Sequence, residues 1–318
     1  MKILVTGASG FVGGRFFRRF RDTPGLELIG VGRRALPDRG SDYRAVDLSR
    51  PFDLDADVDV VVHAAALSSP FAPRRDYLRH NVEATRNVIA WCRAHGSPKL
   101  VHISSGAVQY RPCDQLGIRE DDPVGPTFAN TYAETKAAAE ALVRDYAGPW
   151  AILRPRAVFG PEDTVLFPRL LAAARRGSLP RIVRAGPPAP GDLIGVDTLA
   201  DYILRAAQRS EAVGAFNLSH GEPVVMQDFI ADVFRRLGLP PPTRTVSRRT
   251  ARIAAHAAEL AWTLLPLRGE PPVTRFGIDV LTYGKTFDTT RTRAVLGPPS
   301  QTLAEALDDF IAWQRPRL

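Results

Sequence analysis

The stretch KILVTGASGFVG, residues 2–13, decides how the rest of this 318-residue chain is read. Residues 2–6 form a short aliphatic, β-branched run, the pattern of a buried strand. Glycines follow at intervals of three, Gly7, Gly10 and Gly13. Apolar residues then recur at Val12, Phe16 and Phe20 among arginines, as on an amphipathic helix. At such a junction each glycine has its own task. Gly7 allows the tight turn out of the strand, Gly10 lets the backbone approach a pyrophosphate, and Gly13 lets helix pack closely on strand. Backbone N–H groups and the helix dipole then hold the anion, with Ser9, Phe11 and Val12 completing the cradle.

Working outward, strand-like runs at 26–31, 58–63, 100–104 and 150–153 alternate with helical patterns, notably 81–95 and 131–146. Short apolar strands alternating with helices predict an α/β fold, a doubly wound parallel Rossmann sheet covered on both faces. Beyond Gly160 prolines and glycines cluster at 180–191, 238–242 and 266–272, with helical stretches at 168–176, 196–208, 226–237, 250–265 and 302–314. The expected organisation is a dinucleotide-binding domain over 1–160 and a smaller, mainly helical substrate lobe over 161–318, with about 192–218 returning to the first domain.

Composition narrows the class. Hydrophobic residues make up 45% and charged residues 24%, which suits a soluble globular enzyme and excludes disordered or fibrous chains. The net charge is +8, but only Lys2, Lys99, Lys136 and Lys285 are lysines, and the arginines are spread evenly. Nucleic-acid binding would need them clustered, so no nucleic-acid partner is expected. Cys92 and Cys113 form neither a metal-ligand spacing nor a disulfide framework, which fits a reducing cytoplasm, and no metal site is expected. Neither a signal peptide nor a transmembrane segment is recognised.

The Gly-x-x-Gly-x-x-Gly spacing resembles the short-chain dehydrogenase/reductase superfamily in its extended branch, and the resemblance covers nearly the whole chain. It implies a nicotinamide cofactor. After the second strand the sequence reads GVGRR, residues 30–34, with no carboxylate to bond the ribose hydroxyls. Arginine pairs with a 2′-phosphate through two N–H groups, so NADP is the preferred cofactor, with Arg33 first and Arg34 second as ligands. NAD remains the alternative if these are ordinary surface arginines. Asp47 and Leu48 resemble the segment that contacts adenine. Ala64, Ala65 and Ala66, after His63, resemble the small-residue segment lying against the adenosine and ribose. Asn81 stands in NVEATRNV, which looks like the family's Asn-containing helix start; helix capping is its alternative role.

The sequence YAETK, residues 132–136, lies in a strong helical stretch, and residues four apart share one helix face. Tyr132 and Lys136 therefore project together. The cation is expected to favour the phenolate and lower the tyrosine pKa, making Tyr132 a general acid/base. The resemblance gives Lys136 the nicotinamide ribose as well. Within ISSGAV, residues 103–108, Ser105 matches the family's hydroxyl that binds the substrate oxygen. The sequence then departs from the family's pattern, reading Val-Gln-Tyr at 108–110, and Ser104 stays an alternative. LRPRAVFGP, residues 153–161, resembles the segment flanking the nicotinamide, through Pro155 and Val158.

The branch is read from losses and gains. Nucleotide-sugar epimerases and dehydratases usually carry asparagine where this chain has Ala157, and arginine where it has Gly191. GPEDTVLFPR (160–169) and PPVTR (271–275) look instead like the 3β-hydroxysteroid dehydrogenase branch. The implied activity is interconversion of a secondary alcohol and a ketone on a largely apolar, sterol-like or other hydrophobic molecule. A nucleotide-sugar epimerase or dehydratase is the alternative. A catalytically silent cofactor sensor would normally have lost the Tyr–Lys pair. The apolar stretch 251–267, near Arg244, Arg248 and Arg249, reads as a substrate cover, a packing helix or a peripheral membrane contact. The resemblance further implies a homodimer through the helices at 81–95 and 131–146.

Overall fold

A computed structural model describes residues 1–36, 42–69, 71–177, 179–265, 267 and 269–318. Its centre is a seven-stranded sheet in the spatial order Gly214–Leu218, Trp150–Pro155, Lys99–Ile103, Val60–His63, Lys2–Thr6, Glu27–Gly32, Tyr43–Ala45. Every neighbouring pair in it is parallel. The order of connection reverses between Lys2–Thr6 and Val60–His63, which opens a crevice at the carboxyl ends of the strands. In register, Thr6 lies beside His63, His63 beside His102, and Ile103 beside Leu153, so these ends form one rim.

Two apolar layers hold the sheet. On one face Phe16 and Phe17 of the Phe11–Phe20 helix, both fully buried, pack with Leu199, Tyr202 and Ile203 of the Val196–Gln208 helix. Each such phenylalanine contributes about 1.5–3 kcal/mol of burial. Arg15 ties the same two helices together through a bidentate pair with Asp197 at 2.8 and 2.9 Å. On the other face Val88, Trp91, Cys92, Val143 and Tyr146 form the second layer.

A further core of phenylalanines lies in the second half, with Phe159 and Phe229 edge to face at 5.5 Å and Phe167 beside Phe310 at 4.6 Å. This region is less purely helical than its sequence suggests. It carries a small sheet in the order Val224–Val225, Pro190–Gly191, Lys285–Phe287, Gln115–Ile118. Strands of two to four residues are too short to leave a legible alternation. The helices Arg275–Thr282 and Thr290–Leu296 are likewise additions. Pro266 and Arg268, within the proline-rich 266–272 stretch, lie outside the described residues.

The expected helix start at Asn81 needs correction. The helical run begins at Arg74, behind Pro73, and passes through a π-helical turn, Leu78–Glu83, into Ala84–Ala94. Pro73 can supply the start because proline needs no N–H partner there, so Asn81 does not cap. The Arg248–Leu264 helix packs on Arg275–Thr282 and buries Ala251 and Ala255, while Ile253, Leu260 and Leu264 are exposed. Among the described residues, no helix is long and apolar enough to cross a membrane.

Candidate active site

The glycine turn is built so that only glycine fits. Gly7 has φ +70°, and a Cβ on it would stand 2.7 Å from the Ala65 amide nitrogen. A Cβ on Gly13 would stand 2.6 Å from the Gly7 carbonyl oxygen. The Gly10 amide donates to that carbonyl at 2.8 Å, closing the turn. Gly10 offers the following helix no side-chain cap, and its first turn contains no acidic residue. A tight glycine cradle before an uncapped, electropositive helix end fits the pyrophosphate of a dinucleotide. Ser9 lies in this turn, and Phe11 and Val12 open the helix that follows it. The Ala65 amide donates to Thr6 Oγ1 at 3.2 Å, holding the small Ala64–Ala65–Ala66 segment over the cradle.

The surrounding residues differ in what they do. Arg33 and Arg34 are both exposed beyond the second strand. Arg33 reaches His80 Nε2 at 3.1 Å, while the Arg34 guanidinium donates to the Ser9 carbonyl of the cradle. Asp47 accepts from the Ser49 hydroxyl at 2.7 Å and the Ser49 amide at 3.1 Å, and the Ser49 bonds hold its carboxyl below the usual range. Leu48 is buried, with its carbonyl accepting from Asn87 at 2.9 Å. Asn81 is buried within the π turn. Its Oδ1 accepts from the Leu67 amide at 2.7 Å, and its amide donates to Thr135 Oγ1 at 3.1 Å. It therefore clamps the loop after Ala66 to the helix that carries Tyr132 and Lys136.

That helix, Thr131–Arg144, starts at Asn130, whose side chain accepts from the Ala133 amide at 2.8 Å. The cap fixes Tyr132 in the first turn and Lys136 one turn on. Ser105 Oγ accepts from the Ala107 amide at 3.2 Å and lies beside the Tyr132 phenol. Burial raises the phenol above its ordinary value, and the nearby Ser105 hydroxyl pulls it part of the way back. This corrects the expectation of a phenol lowered by Lys136. The Lys136 ammonium donates to the Ile103 carbonyl at 2.7 Å and lies 3.3 Å from His102 Nε2, and burial lowers it to about 8. It is engaged at the strand end, and its main effect on the rim is to help keep His102 and His63 neutral, both already desolvated.

The two serines separate cleanly. Ser104 is buried and donates to Glu140 Oε1 at 2.6 Å. Glu140 is held in turn by Arg154, at 2.9 Å through Nε and 2.7 Å through Nη2. Ser104 thus belongs to a buried structural network, and Ser105 is the hydroxyl on Tyr132. Pro155 ends its strand beside Leu218, and Val158 opens a two-residue strand beside Ile194, with Ala157 between them at φ +40°.

Several site residues were not singled out from sequence. His63 spans Thr6 Oγ1 at 2.7 Å and Thr85 Oγ1 at 2.9 Å, pinning the rim. Tyr77 lies with its ring 6.4 Å from that of Tyr132, and its hydroxyl donates to the Ser69 carbonyl. Burial pushes Tyr77 and Tyr110 up to about 12, so both stay protonated. Glu140 did leave a signal, four residues beyond Lys136 on the same helix face. Among the described residues, no three His, Cys, Asp or Glu side chains gather to hold a metal ion.

The model of the NAD dependent epimerase/dehydratase family matches residues 3–219. A 2-alkyl-3-oxoalkanoate reductase from Stenotrophomonas maltophilia is 35% identical over 299 residues, covering 87% of this chain and 88% of its own length. A decarboxylating sterol-4-alpha-carboxylate 3-dehydrogenase from Schizosaccharomyces pombe is 26% identical over 337 residues, covering 98% and 96%. Among solved structures, MoeE5 in complex with UDP-glucuronic acid and NAD matches with a TM-score of 0.74 at 26% identity, over 100% of both chains.

Proposed function

Because the chain belongs to the NAD dependent epimerase/dehydratase family, we propose that it is a nicotinamide-dependent oxidoreductase interconverting a secondary alcohol and a ketone on a largely apolar small molecule. The observation that carries the reading is Ser105 beside Tyr132, with Lys136 one turn along the same helix and the glycine cradle across the rim. Tyr132 carries the proton to or from the substrate oxygen, and Ser105 orients that oxygen. Lys136 fixes the nicotinamide ribose. Gly7, Gly10, Gly13, Ser9, Phe11 and Val12 hold the pyrophosphate; Asp47, Leu48 and Ala64 to Ala66 line the adenosine; Pro155 and Val158 flank the nicotinamide. When bound, the nicotinamide supplies or accepts the hydride at the carbinol carbon. The two named relatives support the apolar reading. Both names also place a carboxylate on the carbon next to the one that bears the reacting oxygen. Turnover of apolar secondary alcohols, followed by the absorbance of the reduced cofactor, tests the reading; turnover of nucleotide sugars alone would refute it.

The preferred cofactor is NADP. Arg33 and Arg34 leave the end of the second strand cationic, and a 2′-phosphate pairs with either. Arg33→Ala should weaken NADP about ten- to hundredfold and NAD little, and added salt should narrow the remaining preference. Titration with both cofactors checks this, and equal losses for both would refute the arginine assignment.

The protein works in the cytoplasm as a homodimer. The helices Ala84–Ala94 and Thr131–Arg144 lie side by side and present exposed Ala90, Ala138 and Ala141, small residues that allow close approach of a second pair. Light scattering at micromolar concentration should give twice the chain mass; a monomer throughout would refute the dimer.

A further inference from the structure

Arg154 and Arg156 stand two residues apart, both buried, and among the described residues only Arg154 has a carboxylate partner. Arg154 holds both oxygens of Glu140 and the Glu120 carbonyl. Arg156 is 3% exposed, and its buried Nε and Nη2 find no acceptor among the described residues. A desolvated guanidinium without an anion is costly, and its planar fork of donors matches a carboxylate.

The groups around Arg156 do not complete it. Asp192 is near enough to feel its charge, but Asp192 Oδ2 accepts from the Phe287 amide at 2.6 Å and Ser219 at 3.2 Å, and its Oδ1 has no partner. Lys285 adds a second cation instead of neutralising the first. The Arg156 guanidinium carbon lies 5.2 Å and the Lys285 ammonium 5.5 Å from the centroid of the same Tyr110 ring. Lys285 is itself engaged with the carbonyls of Arg111 and Cys113 and with Gln115.

The position of this cation relative to the reacting groups follows from Tyr110. That residue ends the turn that Ser105 begins, and a Cβ on Gly106 would stand 3.2 Å from its hydroxyl. The Tyr110 phenol is within electrostatic reach of both Arg156 and Tyr132. One aromatic ring therefore separates the Ser105–Gly106 step from the unpaired guanidinium. Gly191 lies directly against this guanidinium, since a Cβ there would stand in contact with Arg156 Nη2 at 3.5 Å. The Val-Gln-Tyr departure at 108–110 and the Gly191 substitution thus meet at one place.

We propose that Arg156 binds a carboxylate on the substrate, attached to the carbon next to the one that bears the reacting oxygen, so that the substrate is a 3-hydroxy acid or its 3-oxo partner with an apolar remainder. This rests on the alcohol/ketone reading above and adds the anionic group to it. Oxidation of the 3-hydroxy acid moves hydride from carbon 3 to the oxidised nicotinamide and the hydroxyl proton to the Tyr132 phenolate, formed by prior loss of the phenol proton to solvent, and leaves the carboxylate on Arg156 unchanged. The guanidinium positions the substrate and takes no part in the proton transfer.

The test uses the full chain with oxidised NADP, a 2-alkyl-3-hydroxyalkanoate, its methyl ester and a UDP-sugar. Wild type should favour the acid over the ester by about a hundredfold in kcat/KM. Arg156→Gln should lose about that factor on the acid, mostly through KM, leave the ester within about twofold, and Arg156→Lys should recover part of the loss. Cofactor titration and thermal melting establish that the variants are folded. Should Arg156→Gln fail to fold, the wild-type preference for acid over ester, together with Arg156→Lys, decides the question. Equal turnover of acid and ester, or equal losses on both in Arg156→Gln, would overturn the carboxylate assignment and leave the oxidoreductase reading standing. Turnover of neither, or of the UDP-sugar alone, would overturn both.

Discussion

Tyr132→Phe is expected to lower kcat by about 10²- to 10⁴-fold while leaving cofactor affinity within about twofold. The ring is half-buried beside Tyr77, and phenylalanine keeps its packing. Only the hydroxyl beside Ser105 is lost, and with it the proton that must move with the hydride. Steady-state kinetics and a cofactor titration separate the two effects. A variant within tenfold of wild type would mean that another group carries the proton. Tyr77 is poorly placed to replace it, because its hydroxyl is already donated to the Ser69 carbonyl. Ser105→Ala should lose activity in the same direction, since it removes the hydroxyl that draws the phenol down.

Glu140→Gln is the second large effect, and it falls on stability. Glu140 is buried between Arg154, Arg144 and Ser104, and Arg154 is fully buried. Removing the carboxylate leaves that guanidinium without its counter-charge, an expected loss of about 3–5 kcal/mol. Denaturant unfolding at neutral pH measures it. The pH dependence has a definite sign. Although burial opposes ionisation, Arg154 and its neighbours hold the Glu140 carboxyl below its ordinary 4.5. A lowered folded-state pKa contributes stability that is complete above the ordinary value and is lost as pH falls through the folded one. The gap between wild type and Glu140→Gln should therefore be widest above about pH 5 and close on acidification. A gap that does not narrow in acid would show that the carboxylate charge is not the source of the stability.

Ser104 and Ser105 show where sequence reading stops. Both match a hydroxyl at the end of a strand, and nothing in ISSGAV distinguishes them. Successive side chains on a strand point to opposite faces, so one faces Glu140 and the other faces Tyr132. Which face holds which partner is decided by a helix thirty residues further on. The Tyr132–Lys136 pair has the same lesson. The four-residue spacing puts both on one helix face, but the Ile103 carbonyl and His102, from another strand, claim the ammonium. Burial, and not the ammonium, sets the direction in which the phenol shifts.

The sequence by itself determined what depends on local spacing. Gly7, Gly10 and Gly13 mark the cradle by their spacing, and Gly13 is held to glycine within the turn itself, by the Gly7 carbonyl, while Gly7 owes part of its constraint to Ala64 and Ala65 from a distant strand end. The same holds for the parallel sheet, because buried strands and the helices between them must bury their own apolar faces. Asn81 and the two buried arginines depended on the tertiary structure. Pro73, eight residues earlier, takes the helix start from Asn81, and Leu67 and Thr135 give it a clamp to hold instead. Arg154 and Arg156 are the same residue type on the same short segment, yet Glu140 reaches only the first. Charge pairing falls off within a few ångströms and requires a specific atom in a specific direction, so it is fixed by which distant segments the fold brings together.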